Sequence, residues 1–191
     1  VEARPLPQVA VLDAGGQYCH LIARKVREQG VYAEVRPSDT PAAELRGYRA
    51  LIISGGPNSV YESGSPTVDP AIFSSGQAVL GICYGLQSMA YLLDGRVAKG
   101  EKGEYGLAIL DVISPDALFD GFACSQQVWM SHRDTVSALP DGFRLQAATA
   151  TCALAVCWSK EKHSVGQMSR HRRHPRQALS LMVISSMSLP P

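Results

Sequence analysis

Ala78-Val79-Leu80-Gly81-Ile82-Cys83-Tyr84-Gly85-Leu86-Gln87-Ser88-Met89-Ala90 is the stretch that decides the fold. An apolar run reaches Gly81, one cysteine stands between two glycines, and a helix-spaced stripe of Leu86, Met89, Ala90 and Leu93 begins at once. That order reads as a strand, a sharp turn and a helix. Glycine on each side lets the backbone bend without a Cβ clash, which lifts Cys83 onto the tip of a strained elbow. The helix N-terminus beside it favours thiolate over thiol. Cys83 is therefore the leading candidate for a nucleophile, set against the commoner fate of a free cysteine, burial as a small hydrophobe.

The segments before the elbow repeat its rhythm. Gln8 to Asp13 is a short apolar run closed by Gly15-Gly16, and Leu21, Ile22 and Val26 form a helical stripe that stops at Gly30. Val31 to Val35 reads as a second strand, and Pro37 to Pro41 as a loop leading into a helix. A third strand, Ala50 to Ser54, runs into Gly55-Gly56-Pro57-Asn58-Ser59-Val60-Tyr61. Glycines after a strand leave N–H groups free to face a ligand, or form only a tight turn. Neither a G-x-G-x-x-G nor a G-x-x-x-x-G-K-[ST] pattern is in the sequence. Strands separated by helical stretches predict an α/β fold, a mostly parallel sheet with helices on both faces. Asp13–Gln17, Gly55–Ser59 and Cys83–Gln87 then share the rim at the carboxyl ends of the strands, where such sheets bind ligands.

From Arg96 the texture changes. Gly100, Gly103 and Gly106 space out a charged stretch read as a loop, followed by strands at Leu107–Ile113, Gln127–Met130 and Phe143–Ala147. Turns such as Pro140-Asp141-Gly142 make these a small antiparallel extension of the sheet. Ser131-His132-Arg133-Asp134 reads as a loop, with His132 as a candidate for a substrate wall, not a base.

The 191 residues suit one domain, expected over 9–162, with a short extension at 1–8 and a basic tail at 163–191 expected to be poorly ordered. Five scattered cysteines without a C-x-x-C pair argue against a disulfide framework and for a reducing, cytoplasmic setting. The first residues carry no apolar segment of signal or membrane type. The chain begins with Val, as a fragment or a processed product would. Net charge is +1, yet residues 158–191 hold six Lys or Arg against Glu161 alone. A short basic run around Arg172-Arg173 without interleaved aromatics is poor support for nucleic-acid binding.

Four motifs in order carry a resemblance: Asp13-Ala14-Gly15-Gly16-Gln17-Tyr18, Ser54 to Tyr61, Gly81 to Gln87, and Trp129-Met130-Ser131-His132-Arg133-Asp134. Over about Val9 to Lys162 the chain resembles the class I glutamine amidotransferases, which use a Cys-His-Glu triad. The Gly-Gly-Pro-x-Ser-Val-Tyr form resembles the branch found in GMP synthases. The resemblance implies glutamine as substrate, Cys83 as the nucleophile, and Gly56 and Tyr84 as the oxyanion hole. It also implies Gly55, Pro57, Gln87, Ser131 and His132 as substrate-binding residues. No metal or cofactor is implied in this chain; ATP and Mg would belong to a synthetase module, the partner in trans or a missing C-terminal domain, that aminates XMP to GMP.

Two departures qualify it. Arg133 replaces a glycine usual in the family, and the family's closing strand ends in His-Pro-Glu after a Gly-x-Gln-Phe-like run. Here Gly166-Gln167-Met168-Ser169-Arg170 starts that motif without finishing it, and His174-Pro175 is followed by Arg176. No general base is assigned. The alternative to a working glutaminase is an impaired pseudo-amidotransferase that binds glutamine or a synthetase without turnover.

Overall fold

The computed structural model describes residues 8–114, 119 and 122–171. In chain order these form β1 (Val9–Asp13), α1 (Cys19–Arg27), β2 (Ala33–Pro37), α2 (Ala42–Leu45) and β3 (Ala50–Ile53). A 3-10 turn (Pro70–Ser74), β4 (Ala78–Ile82) and α3 (Tyr84–Leu92) follow. The second half is all strand: β5 (Arg96–Val112), β6 (Ser125–Ala138), β7 (Arg144–Ala148), β8 (Val156–Ser159), β9 (Ser164–Gln167) and β10 (Ser169–His171).

All ten strands join one sheet in the order β10-β6-β5-β7-β8-β9-β4-β3-β1-β2. From β2 to β9 the pairings are parallel; from β9 to β10 they are antiparallel. The fold is thus α/β with a parallel core and an antiparallel extension. β3 and β4 are buried at every residue and β1 at all but its last, as continuous apolar runs must be when both faces are covered. α1 buries Cys19, Ile22, Ala23 and Val26 against β1 and β2, and α3 packs on β4, β9 and the β5–β6 pair. The loop to the 3-10 turn is anchored by Asp69, whose carboxylate accepts from Ala42 N–H at 2.8 Å and Ala71 N–H at 2.9 Å. These two backbone donors hold the Asp69 carboxyl below its usual range.

Three segments differ from the sequence reading. The glycine-spaced stretch and Ser131–Asp134, both read as loops, are the first half of β5 and the middle of β6, and they pair with each other. The glycines serve the pairing. A Cβ on Gly100 would run into the Arg133 carbonyl, and Gly103, at φ +60, sits in the register shift between Lys99 and Glu104. This is a β-bulge, the usual reason for glycine inside a strand. Residues 164–171, assigned to the tail, form β9 and β10. β9 lies between β8 and β4, in the middle of the sheet, while 172–191 and most of 1–8 fall outside the described residues. No helix among the described residues is long and apolar enough to cross a membrane.

Candidate active site

Cys83 joins β4 to α3 with φ 49 and ψ −101. Such a backbone in a non-glycine residue stores about 1–3 kcal/mol and persists only where its surroundings hold it. They do so from both sides: Cys83 N–H donates to the Gln167 carbonyl at 2.8 Å, and Gln87 N–H donates to the Cys83 carbonyl at 3.0 Å. The flanking glycines are required by contact. A Cβ on Gly81 would meet the Gly85 carbonyl carbon at 2.6 Å, and one on Gly85 would be driven into the Ile53 carbonyl. Glycine here lets the first turn of α3 sit directly on β3 and β4.

The rim loops close around the elbow. A Cβ added to Gly55 would lie 3.7 Å from Cys83 Cβ, so the Gly-Gly turn passes beside Cys83. Gly16 packs on the Gly55 carbonyl and Gly56 on the Ala14 carbonyl so closely that neither admits a side chain. Ser54 ties the loops together. Its hydroxyl oxygen accepts from Ala14 N–H at 3.0 Å, and the hydroxyl donates to the Gly55 carbonyl at 3.1 Å. Asp13 accepts from Gly15 N–H at 2.9 Å.

The Cys83 thiol is half-buried, and its Sγ donates to the Met168 carbonyl at 3.5 Å. The strand end beyond β9 therefore faces the Cys83 thiol. Tyr84 begins α3, where a backbone N–H has no acceptor within the helix. Its ring is buried, its hydroxyl donates to the Pro66 carbonyl at 2.5 Å, and burial pushes its pKa up.

Of the residues expected to bind substrate, Gly55 lies at the elbow and Pro57 is exposed on the adjoining turn. Gln87 is buried, and its side-chain amide donates to the Asp134 carbonyl at 2.8 Å, tying α3 to β6. Ser131 and His132 are consecutive in β6, so they face opposite sides. Ser131 is exposed, whereas His132 is buried with Nε2 2.8 Å from Glu104 and Nδ1 3.1 Å from the Asp134 carbonyl. The sequence reading gives no role of their own to Ser54, Met168, Glu104 or Cys152. Only Glu104 leaves a local signal, a carboxylate among glycines, and that pattern reads as solvent-exposed charge. A cleft of about 630 Å³ opens elsewhere on the rim, between Asp13, Arg36, Asp39 and Pro66, and Cys83 does not line it.

The family model "Glutamine amidotransferase class-I" matches residues 10–166. The chain belongs to that family. Among curated amidotransferase relatives, a GMP synthase [glutamine-hydrolyzing] of Parafrankia sp. (strain EAN1pec) is 56% identical over 149 residues, 77% of this chain and 28% of that protein. The Alteromonas mediterranea protein of the same name is 42% identical over 186 residues, 92% of this chain and 35% of its own length. The chain thus spans about a third of these relatives. Among solved structures, a Thermoplasma acidophilum protein assigned as a GMP synthase subunit superposes with a TM-score of 0.83 at 28% identity, covering 97% of this chain and 96% of that one. A Thermotoga maritima glutamine amidotransferase shares the fold at a TM-score of 0.69 and 18% identity, over 87% and 76% of the two chains. The amidotransferase match ends at Gly166, two residues before the carbonyl that faces Cys83.

Proposed function

We propose that this chain is the glutamine-handling module of a GMP synthase-type system, releasing ammonia from glutamine for the amination of XMP to GMP. The observation that supports the reading is Cys83 itself, held at positive φ on a glycine-flanked elbow at a helix N-terminus and beside the Gly55-Gly56 turn. In this scheme the thiolate attacks the carboxamide carbon of glutamine, and N–H groups of the Gly56 region and Tyr84 hold the resulting oxyanion. The C–N bond breaks, the thiol proton leaves with ammonia, and water hydrolyses the glutamyl thioester to glutamate. Gly55 and Pro57 shape the glutamine pocket, with Gln87 and His132 supporting its wall from behind. The module itself needs no cofactor. ATP and Mg are used by a synthetase module, supplied in trans or by the remainder of a longer protein, in the cytoplasm.

A second reading is favoured by one observation. The resemblance sets His-Pro-Glu after the Gly-x-Gln-Phe-like run of the strand beside the nucleophile, and here Gln167-Met168 is followed by Ser169-Arg170-His171. Losing an oriented acid–base partner costs about 10²–10⁴ in rate. Turnover is accordingly expected to be slow, and glutamine binding to outlast it.

Ammonia release from glutamine by the purified chain, alone and with a GMP synthase ATP-binding module, tests both readings, with Cys83→Ala as control. Slow release that disappears in Cys83→Ala supports the impaired glutaminase. Release at rates ordinary for an intact triad would refute the impairment, and release unchanged by Cys83→Ala would refute the nucleophile.

A further inference from the structure

A second cluster of reactive side chains lies behind the elbow, on the β5–β6 pair. Glu104 and His132 are direct cross-strand partners, and Cys152 comes from the turn between β7 and β8. One ligand atom from each, a carboxylate oxygen, an imidazole nitrogen and Sγ, all lie within 4.8 Å of one another. The cluster is enclosed: the side chains of His132 and Glu104 are 4% and 17% exposed, and Cys152 is 1% exposed.

The hydrogen bonding of the cluster is incomplete. His132 Nδ1 is held by the Asp134 carbonyl at 3.1 Å, and because a carbonyl only accepts, Nδ1 carries the proton. In the neutral ring that leaves Nε2 as a lone pair. It faces Glu104 Oε2 at 2.8 Å, yet neither it nor either Glu104 oxygen makes a directed hydrogen bond. Asp134 Oδ1, two residues along the same face of β6, is buried and without a hydrogen-bond partner as well. Cys152 Sγ accepts from the Leu154 backbone N–H and has a long contact, 3.9 Å, to Thr135 Oγ1. Buried acceptors converging without donors are costly unless a positive charge sits among them.

We propose that Glu104, His132 and Cys152 form a binding site for a single divalent transition-metal ion, with Zn²⁺ as the best match. One oxygen, one imidazole nitrogen and one thiolate are a zinc donor set, with a fourth position left for water. The second contact of the imidazole is also the one metal ligands use: Nδ1–H to a backbone carbonyl fixes the ring and aims Nε2. Binding joins three separate pieces of the antiparallel half, β5, β6 and the β7–β8 turn, and Gln87 links that half to the helix of the nucleophile. The ion ties these pieces together while keeping one position for water, and the site does not depend on glutamine turnover.

The test uses the whole purified chain, freed of metal with a chelator and kept reduced, with Zn²⁺ titrated calorimetrically and Co²⁺ as the spectroscopic probe. The expected result is one ion per chain and a thiolate-to-cobalt charge-transfer band. The band survives in Cys83→Ala and is lost in Cys152→Ser. Because Cys152→Ser touches the core, Glu104→Gln serves as the second variant. It keeps the size of the side chain and, as the loss of a direct ligand, is expected to weaken Zn²⁺ binding by more than the roughly 10- to 100-fold that losing an outer-shell partner costs. No stoichiometric binding would overturn the proposal and leave the cluster as a His132–Glu104 ion pair. A band that vanishes in Cys83→Ala while persisting in Cys152→Ser would overturn it equally.

Discussion

At Cys83 stability and chemistry pull in opposite directions. A side chain at φ 49, ψ −101 is strained, and only glycine adopts that region freely. The position holds cysteine, and on the proposed function the strain is tolerated for what the thiol does there. Two substitutions separate the terms. Cys83→Ala removes the sulfur and keeps the Cβ, and should leave the melting temperature nearly unchanged. Cys83→Gly removes both and should stabilise the fold by about 1 kcal/mol, or about 2–4 °C for a chain of this size. Neither should release ammonia. Thermal melts of the three proteins decide it, and a glycine variant less stable than the alanine one would mean that the elbow is not under strain.

On the impaired reading proposed above, the strand beside the elbow sets the limit on rate. Cys83 N–H bonds the Gln167 carbonyl and its Sγ the Met168 carbonyl, so the residues from Ser169 onward are the next in line beside the thiol. β10, which starts there, is the edge of the sheet, where proline is tolerated. Replacing Ser169-Arg170-His171 by His-Pro-Glu should raise ammonia release by about 10²–10⁴, with the gain abolished by adding Cys83→Ala. A folded triple variant with no gain would show that this register does not present a base to the thiol.

Local contacts decide what is legible in the sequence. The elbow and the parallel strands are legible because contact chemistry there is local: glycines i−2 and i+2 from the cysteine, and apolar runs buried on both faces. The β5–β6 pair is not. Its glycines look like loop residues until the partner strand supplies the Arg133 carbonyl they must admit. Leu107 to Ile113 reads as a strand, but the reading does not tell which face is covered: Leu107 and Ile109 are exposed on the face that also carries Trp129, and Leu110 is fully buried. Glu104 and His132 are 28 residues apart, and only the bulged register brings them together. Cys152 joins them through a turn that Thr149 closes, with its hydroxyl oxygen accepting from Cys152 N–H at 2.9 Å. Such non-local pairing leaves no periodic trace in a single sequence.

On the scale of the whole molecule, the buried thiols make stability depend on pH. Burial pushes Cys157 up from 9.0 to about 12 and Cys19 to about 11, because a thiolate would lose its hydration in the core. The unfolded chain gives up these protons near pH 9, whereas the native chain keeps them. Their contribution is therefore complete below about pH 9 and is lost as pH rises toward the folded values, since the unfolded state then binds fewer protons. Each thiol contributes a fall of up to about 1.4 kcal/mol per pH unit inside that window. Urea unfolding at about pH 8 and about pH 10 under a reductant should show the decline. Cys157→Ala should lower stability at both values through the small cavity it leaves, but with a shallower loss between them. An equal loss in the variant would mean that Cys157 does not titrate differently in the two states, and that the alkaline sensitivity of the fold lies elsewhere.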